Sequence, residues 1–200
     1  MDSLSLLTDA PVPPVPANLT WLRAVVARFS TGEDHERRRA LVVEQLRRVD
    51  PAELREAARA RPQDAPVAVL ADALGLGVDP ADVAAVAGAY QPHFPQSAAA
   101  DAACARLVAA LGGVPDERTA AVIGLLVQAC DATVSLIRNA AAGSAEPPVP
   151  STRRLVDGAE VSVDLRGAPF GAGPHACPGE AYARALAEGF LSAARGSSRR

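Results

Sequence analysis

The sequence predicts a mainly α-helical protein with one small β element, and three observations support this fold class. Apolar residues recur at helical spacing, as they do within the segment 21–29. Clusters of glycine and proline separate one helical stretch from the next. Two short apolar runs, 155–156 and 161–165, lie on either side of Asp157-Gly158, a dipeptide that favours a hairpin turn. We therefore expect two short strands after most of the helices.

The expected helices follow one another in order from their start signals. Helical patterning begins near Trp21 and runs through Phe29, after an extended, proline-rich leader at 10–17. Asp50-Pro51 opens a helix because the aspartate caps it and proline fits its first turn. The remaining helices are expected at about 34–48, 66–74, 79–90, 97–111 and 115–142.

Length and composition indicate one soluble domain. The chain has 200 residues, of which 49% are hydrophobic and 22% are charged, enough for a single core. We expect a leader at 1–18, the domain at 19–195 and a disordered tail at 196–200. The net charge of −3 provides no bulk attraction to nucleic acid or to anionic lipid, so neither is expected as a partner.

Three further features favour the cytoplasm. The longest apolar run, 120–127, is too short to span a membrane. The N-terminus has no positive charge before its apolar run, which makes it a poor signal peptide. The cysteines, Cys104, Cys130 and Cys177, are spaced for neither a zinc site nor a disulfide framework, so a reducing compartment is expected.

The segment 170–179 places Cys177 in a glycine-rich loop before a helix-forming stretch. Gly171 and Gly173 allow a positive φ and let the backbone lie close to a flat ligand. A helix starting after Gly179 would put the sulfur near unpaired N–H groups, which stabilise a thiolate. The sulfur is therefore a candidate metal ligand. The alternative is a buried free cysteine that behaves as a small hydrophobic residue.

This segment resembles the cysteine-loop signature of the cytochrome P-450 family, Phe-Gly-x-Gly-x-His-x-Cys-x-Gly, at every specified position. The resemblance implies a reduced P-450-like helical fold with the small β element next to the loop. It also implies haem b as cofactor, with Cys177 as the axial iron ligand and Phe170 packed near the sulfur. Gly171 and Gly179 would shape the haem-binding loop, and His175 would lie beside a haem propionate.

Two other segments resemble the parts of the family that bind the propionates. His35 and Arg39 match His-x-x-x-Arg, a spacing that puts both side chains on one helix face, and an arginine fork suits a carboxylate. The segment 147–150 resembles Pro-Pro-Val leading to a propionate-binding arginine, which implies Arg154, or else Arg153. The alternative is that the arginines near His35 form an ordinary solvated face.

The segment 128–140 resembles the family's oxygen-side helix, Ala-Gly-x-(Asp/Glu)-Thr-Thr. Asp131 falls on the acid, Ala132 on the first threonine and Thr133 on the second, which makes Asp131 and Thr133 the expected catalytic residues. The family's first threonine helps to hold water that delivers protons, and Ala132 has no hydroxyl for this task. The alternative is an ordinary helix with Asp131 on its solvated face.

The chain is roughly half the length of a usual family member, so it looks like a shortened relative. Between 140 and 147 there is no room for the helix that carries Glu-x-x-Arg, and between 165 and 170 none for the family's long meander. The missing pair normally braces the cysteine loop and orients the metal ligand. Its absence would let water reach the sulfur.

The resemblance implies a monooxygenase that inserts oxygen into a small organic substrate with electrons from a ferredoxin-type donor. A second hypothesis is a catalytically impaired haem-binding scaffold, or a haem-free one, that acts in sensing or interaction. Ala132 and the missing helix favour the second hypothesis, whereas the complete cysteine loop favours the first. His93 is interpreted as a loop residue without a role.

Overall fold

Residues 2–12, 21–91, 94–95 and 97–197 are described by a computed structural model of the chain. Across these residues the structure is 63% helix, with nine α-helices and one two-stranded sheet. The expected mainly α class with a small β element is confirmed. The helices are α1 Ser3–Asp9, α2 Trp21–Ala24, α3 Gly32–Leu46, α4 Pro51–Ala60, α5 Pro66–Ala73, α6 Pro80–Tyr90, α7 Ala98–Ala110, α8 Glu117–Ala141 and α9 Glu180–Ser197.

The sheet is an antiparallel hairpin of β1 Ser151–Val156 and β2 Ala159–Asp164. Asp157 and Gly158 form its turn with φ values of +49° and +79°, as the dipeptide predicted. Val163 is buried and its neighbours in β2 are more exposed, so one face of the hairpin is turned inward. The hairpin thus connects the end of α8 to the cysteine loop.

The first half of α8 is the centre of the main hydrophobic core. Residues 119–127 of this helix are all buried, and α3, α5, α6 and α9 pack against it. Packing of α4 along α9 completes this side of the fold, and Gly189 is the point of closest approach, where a Cβ would collide with the carbonyl oxygen of Arg55. By length and hydropathy α8 would also suit a membrane span, but half of its most apolar window is buried inside the protein.

The expected helix over 21–29 is interrupted. It ends at Ala24, and Val26 adopts an extended conformation before a short 3-10 helix, Ala27–Phe29. The Ser30 hydroxyl donates to the Val26 carbonyl at 2.7 Å, which stabilises this bend. The break changes the direction of the chain immediately before α3.

The extended leader expected at 1–18 is wrong for residues 3–9, which form α1. Asp2 caps this helix by accepting a hydrogen bond from the Ser5 N–H, and Leu7 is buried in a second small cluster with Val163 and Leu165. The stretch 13–20 lies outside the described residues. The disordered tail expected at 196–200 is wrong for residues 196 and 197, which belong to α9, and 198–200 lie outside the described residues.

Candidate functional site

The cysteine loop has the backbone that its glycines predicted. Gly171 and Gly173 have φ values of +75° and +65°, in the region that favours glycine. The Cys177 N–H donates to the Phe170 carbonyl oxygen at 2.7 Å and closes the loop. The Phe170 ring lies under the guanidinium of Arg184, which is 4.7 Å from the ring centroid. The loop is therefore held at both ends immediately before α9.

The sulfur of Cys177 lies beside the backbone at the start of α9. A Cβ at Gly179 would be 3.8 Å from the sulfur, and the Gly179 N–H interacts with it. The residue is exposed on one side, yet the protein around the sulfur withholds enough water to raise the pKa of the Cys177 thiol. The Gly179 N–H and the charge of Arg39 lower that pKa by less. In the ligand-free protein desolvation therefore outweighs the stabilisation of a thiolate by the helix N-terminus, which was the contribution that the sequence argument considered.

A pair of histidines joins the cysteine loop to α3. The rings of His35 and His175 are 4.0 Å apart between centroids and tilted by 43°. His35 is buried in α3, and His175 belongs to a short 3-10 helix, Gly173–His175. Burial first, and then the neighbouring positive charges, lower the pKa of His175 to about 4, and burial lowers the pKa of His35 as well. Both imidazoles are therefore neutral at pH 7.

Arg154 extends from β1 into the interior, with only 3% of its surface exposed. Its Nη1 donates to the Arg153 carbonyl at 2.9 Å and to the Thr152 hydroxyl at 3.3 Å, but its buried Nε has no partner. Burial and the charge of Arg28 lower the pKa of Arg154. Arg153 faces outward and pairs with Glu160 at 2.8 Å. Of the two arginines that the sequence proposed, only Arg154 lies within the fold.

Arg28 is a member of this site that sequence reasoning missed. Its guanidinium carbon lies 5.8 Å from the centroid of the Phe29 ring, and its Nε is buried without a partner. The charge of Arg28 lowers the pKa of Arg154 and of His175, so Arg28 lies near both. The signal available in the sequence was an arginine within the apolar stretch 21–29.

Arg39 completes the site one helical turn after His35. The neighbouring arginines of α3 point elsewhere, because Arg37 and Arg38 bind Glu117 at the start of α8. The charge of Arg39 lowers the pKa of His35, of His175 and of Cys177, which places it beside the loop. After its three arginines, we call the group of five residues near Cys177 the cation cluster, which also contains the two neutral histidines: Arg28, His35, Arg39, Arg154 and His175.

Two carboxylates act on the edge of this site, since the charge of Glu36 opposes the lowering of the pKa of His35 and the charge of Glu180 contributes to the raised pKa of Cys177. None of the described aspartates and glutamates forms an ion pair with Arg28, Arg39 or Arg154. Leaving buried positive charge unpaired is costly, whereas a carboxylate can accept two hydrogen bonds from one guanidinium. The unpaired Nε atoms of Arg28 and Arg154 are therefore available to donate hydrogen bonds to the carboxylates of a ligand. In the described ranges no three His, Cys, Asp or Glu side chains come together as a set that could hold a metal ion.

The oxygen-side residues expected on α8 are not joined to this cluster. Asp131 is exposed, Ala132 is half-buried and Thr133 is 2% exposed, so Asp131 and Thr133 face different sides of the helix. In the described part of the chain, the hydrogen bonds and ion pairs of the cation cluster do not include Asp131 or Thr133. Their assignment as catalytic residues stays a prediction. His93 lies outside the described residues.

Comparisons with known proteins add no assignment, since no family model, no curated protein and no solved structure matches the chain.

Proposed function

We propose that the protein is a shortened haem-thiolate oxidoreductase of the cytochrome P-450 type, located in the cytoplasm. One observation carries the proposal: the unpaired Nε atoms of Arg28 and Arg154 belong to a partly buried cation cluster beside the Cys177 loop. Four residues of that cluster are the ones that the resemblance assigns to the haem propionates. They come from three separate segments of the sequence, namely His35 and Arg39, Arg154, and His175.

The cluster suits the two propionates of haem b. Arg154 and Arg39 would bind carboxylate oxygens, and His35 and His175 would donate ring N–H groups. A hydrogen bond to a charged partner contributes about 1.5–3 kcal/mol, so several such contacts can retain a cofactor without the missing bracing helix. The carboxylates would also neutralise the charge that now lowers the pKa of Arg154. Haem binding would therefore relieve the repulsion between the unpaired positive charges of Arg28 and Arg154 in the ligand-free fold.

Cys177 must lose its proton to ligate iron, because the thiolate is the metal ligand. The Gly179 N–H and the charge of Arg39 favour the thiolate, and the remaining stabilisation would come from ligation to the iron of bound haem. Binding at neutral pH therefore releases a proton from the sulfur. The open side of Cys177 gives the ligated sulfur partial contact with water.

Thiolate-ligated haem supplies the oxygen chemistry of this class, since the sulfur donates electron density that favours O–O cleavage. The protein would supply the pocket for a small organic substrate and a surface for a ferredoxin-type electron donor. On α8, the exposed carboxylate of Asp131 is the group available to relay protons from solvent.

A second function, a haem-binding sensor or scaffold, is favoured by two observations. Ala132 offers no hydroxyl to hold a proton-delivering water, and the raised pKa of Cys177 favours the neutral thiol. Supplying electrons from a surrogate ferredoxin system and measuring peroxide per electron separates the two functions. Ala132→Thr should lower the peroxide yield of an oxygenase, whereas a scaffold should show the same yield in both proteins.

The absorption spectrum of the reduced protein with carbon monoxide tests the main proposal. Reconstituted with haem, the protein should show the strongly red-shifted Soret band of thiolate ligation. Cys177→Ala should abolish this band, and Cys130→Ala, which changes a half-buried cysteine of α8, should retain it. A stoichiometric spectrum that is the same in Cys177→Ala would refute the ligand assignment.

A further inference from the structure

We infer that Arg28 is a carboxylate-binding residue of the cation cluster, and that the cluster recognises a dicarboxylate tetrapyrrole whether or not the ligand contains iron. The inference rests on the proposed function, because it specifies how the same site selects its ligand. Arg28 matches no motif of the cysteine loop or of the propionate segments. Its role is assigned from its position in this fold.

The backbone around Arg28 is fixed by local contacts. Val26 is buried and extended, and its carbonyl accepts hydrogen bonds from the Ser30 hydroxyl at 2.7 Å and the Phe29 N–H at 3.4 Å. The Phe29 ring packs against Tyr90 of α6 with centroids 5.3 Å apart. These contacts hold the short 3-10 helix in place, so the direction of the Arg28 side chain is determined by the fold.

The charge of Arg28 acts on three members of the site that come from two segments, the hairpin and the cysteine loop. It lowers the pKa of Arg154 in β1, and those of His175 and Cys177 in the cysteine loop. Arg28 therefore lies close enough to both the hairpin and the cysteine loop for its charge to act on them. An unpaired, buried Nε leaves this guanidinium with a donor available to such a ligand.

Charge balance favours a ligand with two carboxylates. The cluster contains three arginines and two histidines that are neutral at pH 7, whereas Arg38 of α3 is already bound to Glu117. Two carboxylates would leave a net charge of about +1 from three guanidinium groups, whereas a single carboxylate would leave about +2 in a partly desolvated site. None of these contacts involves the sulfur, so they are available to a porphyrin without metal.

The experiment titrates the protein with metal-free protoporphyrin IX, detected by its fluorescence, and with the dimethyl ester of the same porphyrin. The wild-type protein should bind the free acid and bind the ester at least about 10-fold more weakly. Arg28→Gln should weaken binding of the free acid by about 10- to 100-fold. Arg153→Gln removes the same charge from the outer face of β1 and should change binding by less than about twofold.

Two further variants keep the result interpretable. Arg28→Lys retains the charge without the fork and should bind with intermediate affinity, which guards against a folding defect in Arg28→Gln. Cys130→Ala, which changes a cysteine of α8 outside the cation cluster, should leave binding of the metal-free porphyrin unchanged. Equal affinity of wild type and Arg28→Gln for the free acid would overturn the role of Arg28, even if the carbon monoxide spectrum shows thiolate ligation. Failure of the wild type to bind metal-free protoporphyrin would overturn recognition without iron. If Arg28→Gln weakens binding of metal-free protoporphyrin but the haem-reconstituted wild type lacks the red-shifted Soret band with carbon monoxide, only the oxidoreductase proposal is refuted.

Discussion

Replacing Arg154 by methionine should stabilise the ligand-free protein and weaken its hold on haem. The Arg154 side chain is 97% buried, its Nε is unpaired, and the nearby charge of Arg28 repels it. Methionine has a similar length and no charge, so the substitution removes the unpaired cation while filling most of the same space.

The size of the stabilisation follows from the contacts that are lost. An unsatisfied buried group costs about 1–3 kcal/mol, and more when it is charged. Against this gain, the variant loses the hydrogen bonds from Nη1 to the Arg153 carbonyl and the Thr152 hydroxyl, together worth about 1–2 kcal/mol. We expect a net gain of up to about 2 kcal/mol, which is up to about 8 °C in Tm for a chain of this size. Haem should dissociate about 10- to 100-fold faster, because one charged contact to a propionate is lost.

Thermal unfolding without ligand and haem transfer to an acceptor protein measure the two effects. Arg153→Met is the matched control, because Arg153 precedes Arg154 in β1, is exposed, and pairs with Glu160 on the surface. The control should shift Tm by less than about 1 °C and leave haem dissociation unchanged. A ligand-free Arg154→Met protein that melts below the wild type, and that releases haem at the wild-type rate, would refute the reasoning about this buried cation.

Two other predictions concern the histidines and the N-terminal helix. The folded-state pKa of His175, about 4, lies below the ordinary value of 6.5, so the unfolded chain takes up a proton first as the pH falls. The free energy of unfolding of the ligand-free protein should therefore decrease by about 1–2 kcal/mol between pH 7 and pH 5, which urea unfolding would measure. The same dependence of unfolding free energy on pH in His175→Gln would contradict this prediction. Leu7→Ala should lower the free energy of unfolding by about 2 kcal/mol, because Leu7 is buried in the cluster with Val163 and Leu165. It should also speed hydrogen exchange in the cysteine loop, against which α1 packs. Leu4→Ala, at an exposed position of α1, is the control, and equal exchange rates in both variants would show that α1 does not support the loop.

The features that the sequence predicted correctly depend on local signals. Asp50 caps α4 with Pro51 in its first turn, and Asp157-Gly158 forms the hairpin turn. The two glycines of the cysteine loop have positive φ. In each case the residue type itself limits the backbone conformation, so a short window of sequence contains the necessary information.

The features that the sequence did not predict depend on tertiary contacts. The bend at Val26 and the unpaired Nε of Arg28 follow from packing against α6 and from the position of β1. The raised pKa of Cys177 depends on how much protein surrounds the sulfur, which the helix N-terminal argument leaves out. The formation of α1 likewise depends on the burial of Leu7 against the hairpin, far away in the sequence.

X-ray absorption at the iron edge of the haem-reconstituted protein tests the central claim most directly. The measurement reports which elements surround the iron and does not depend on the activity of the protein. We expect a sulfur neighbour of the iron in the wild type and in Cys130→Ala, and its loss in Cys177→Ala. An iron coordinated only by nitrogen and oxygen in the wild-type protein would contradict the account, because His35, His175 or water would then occupy the place assigned to Cys177.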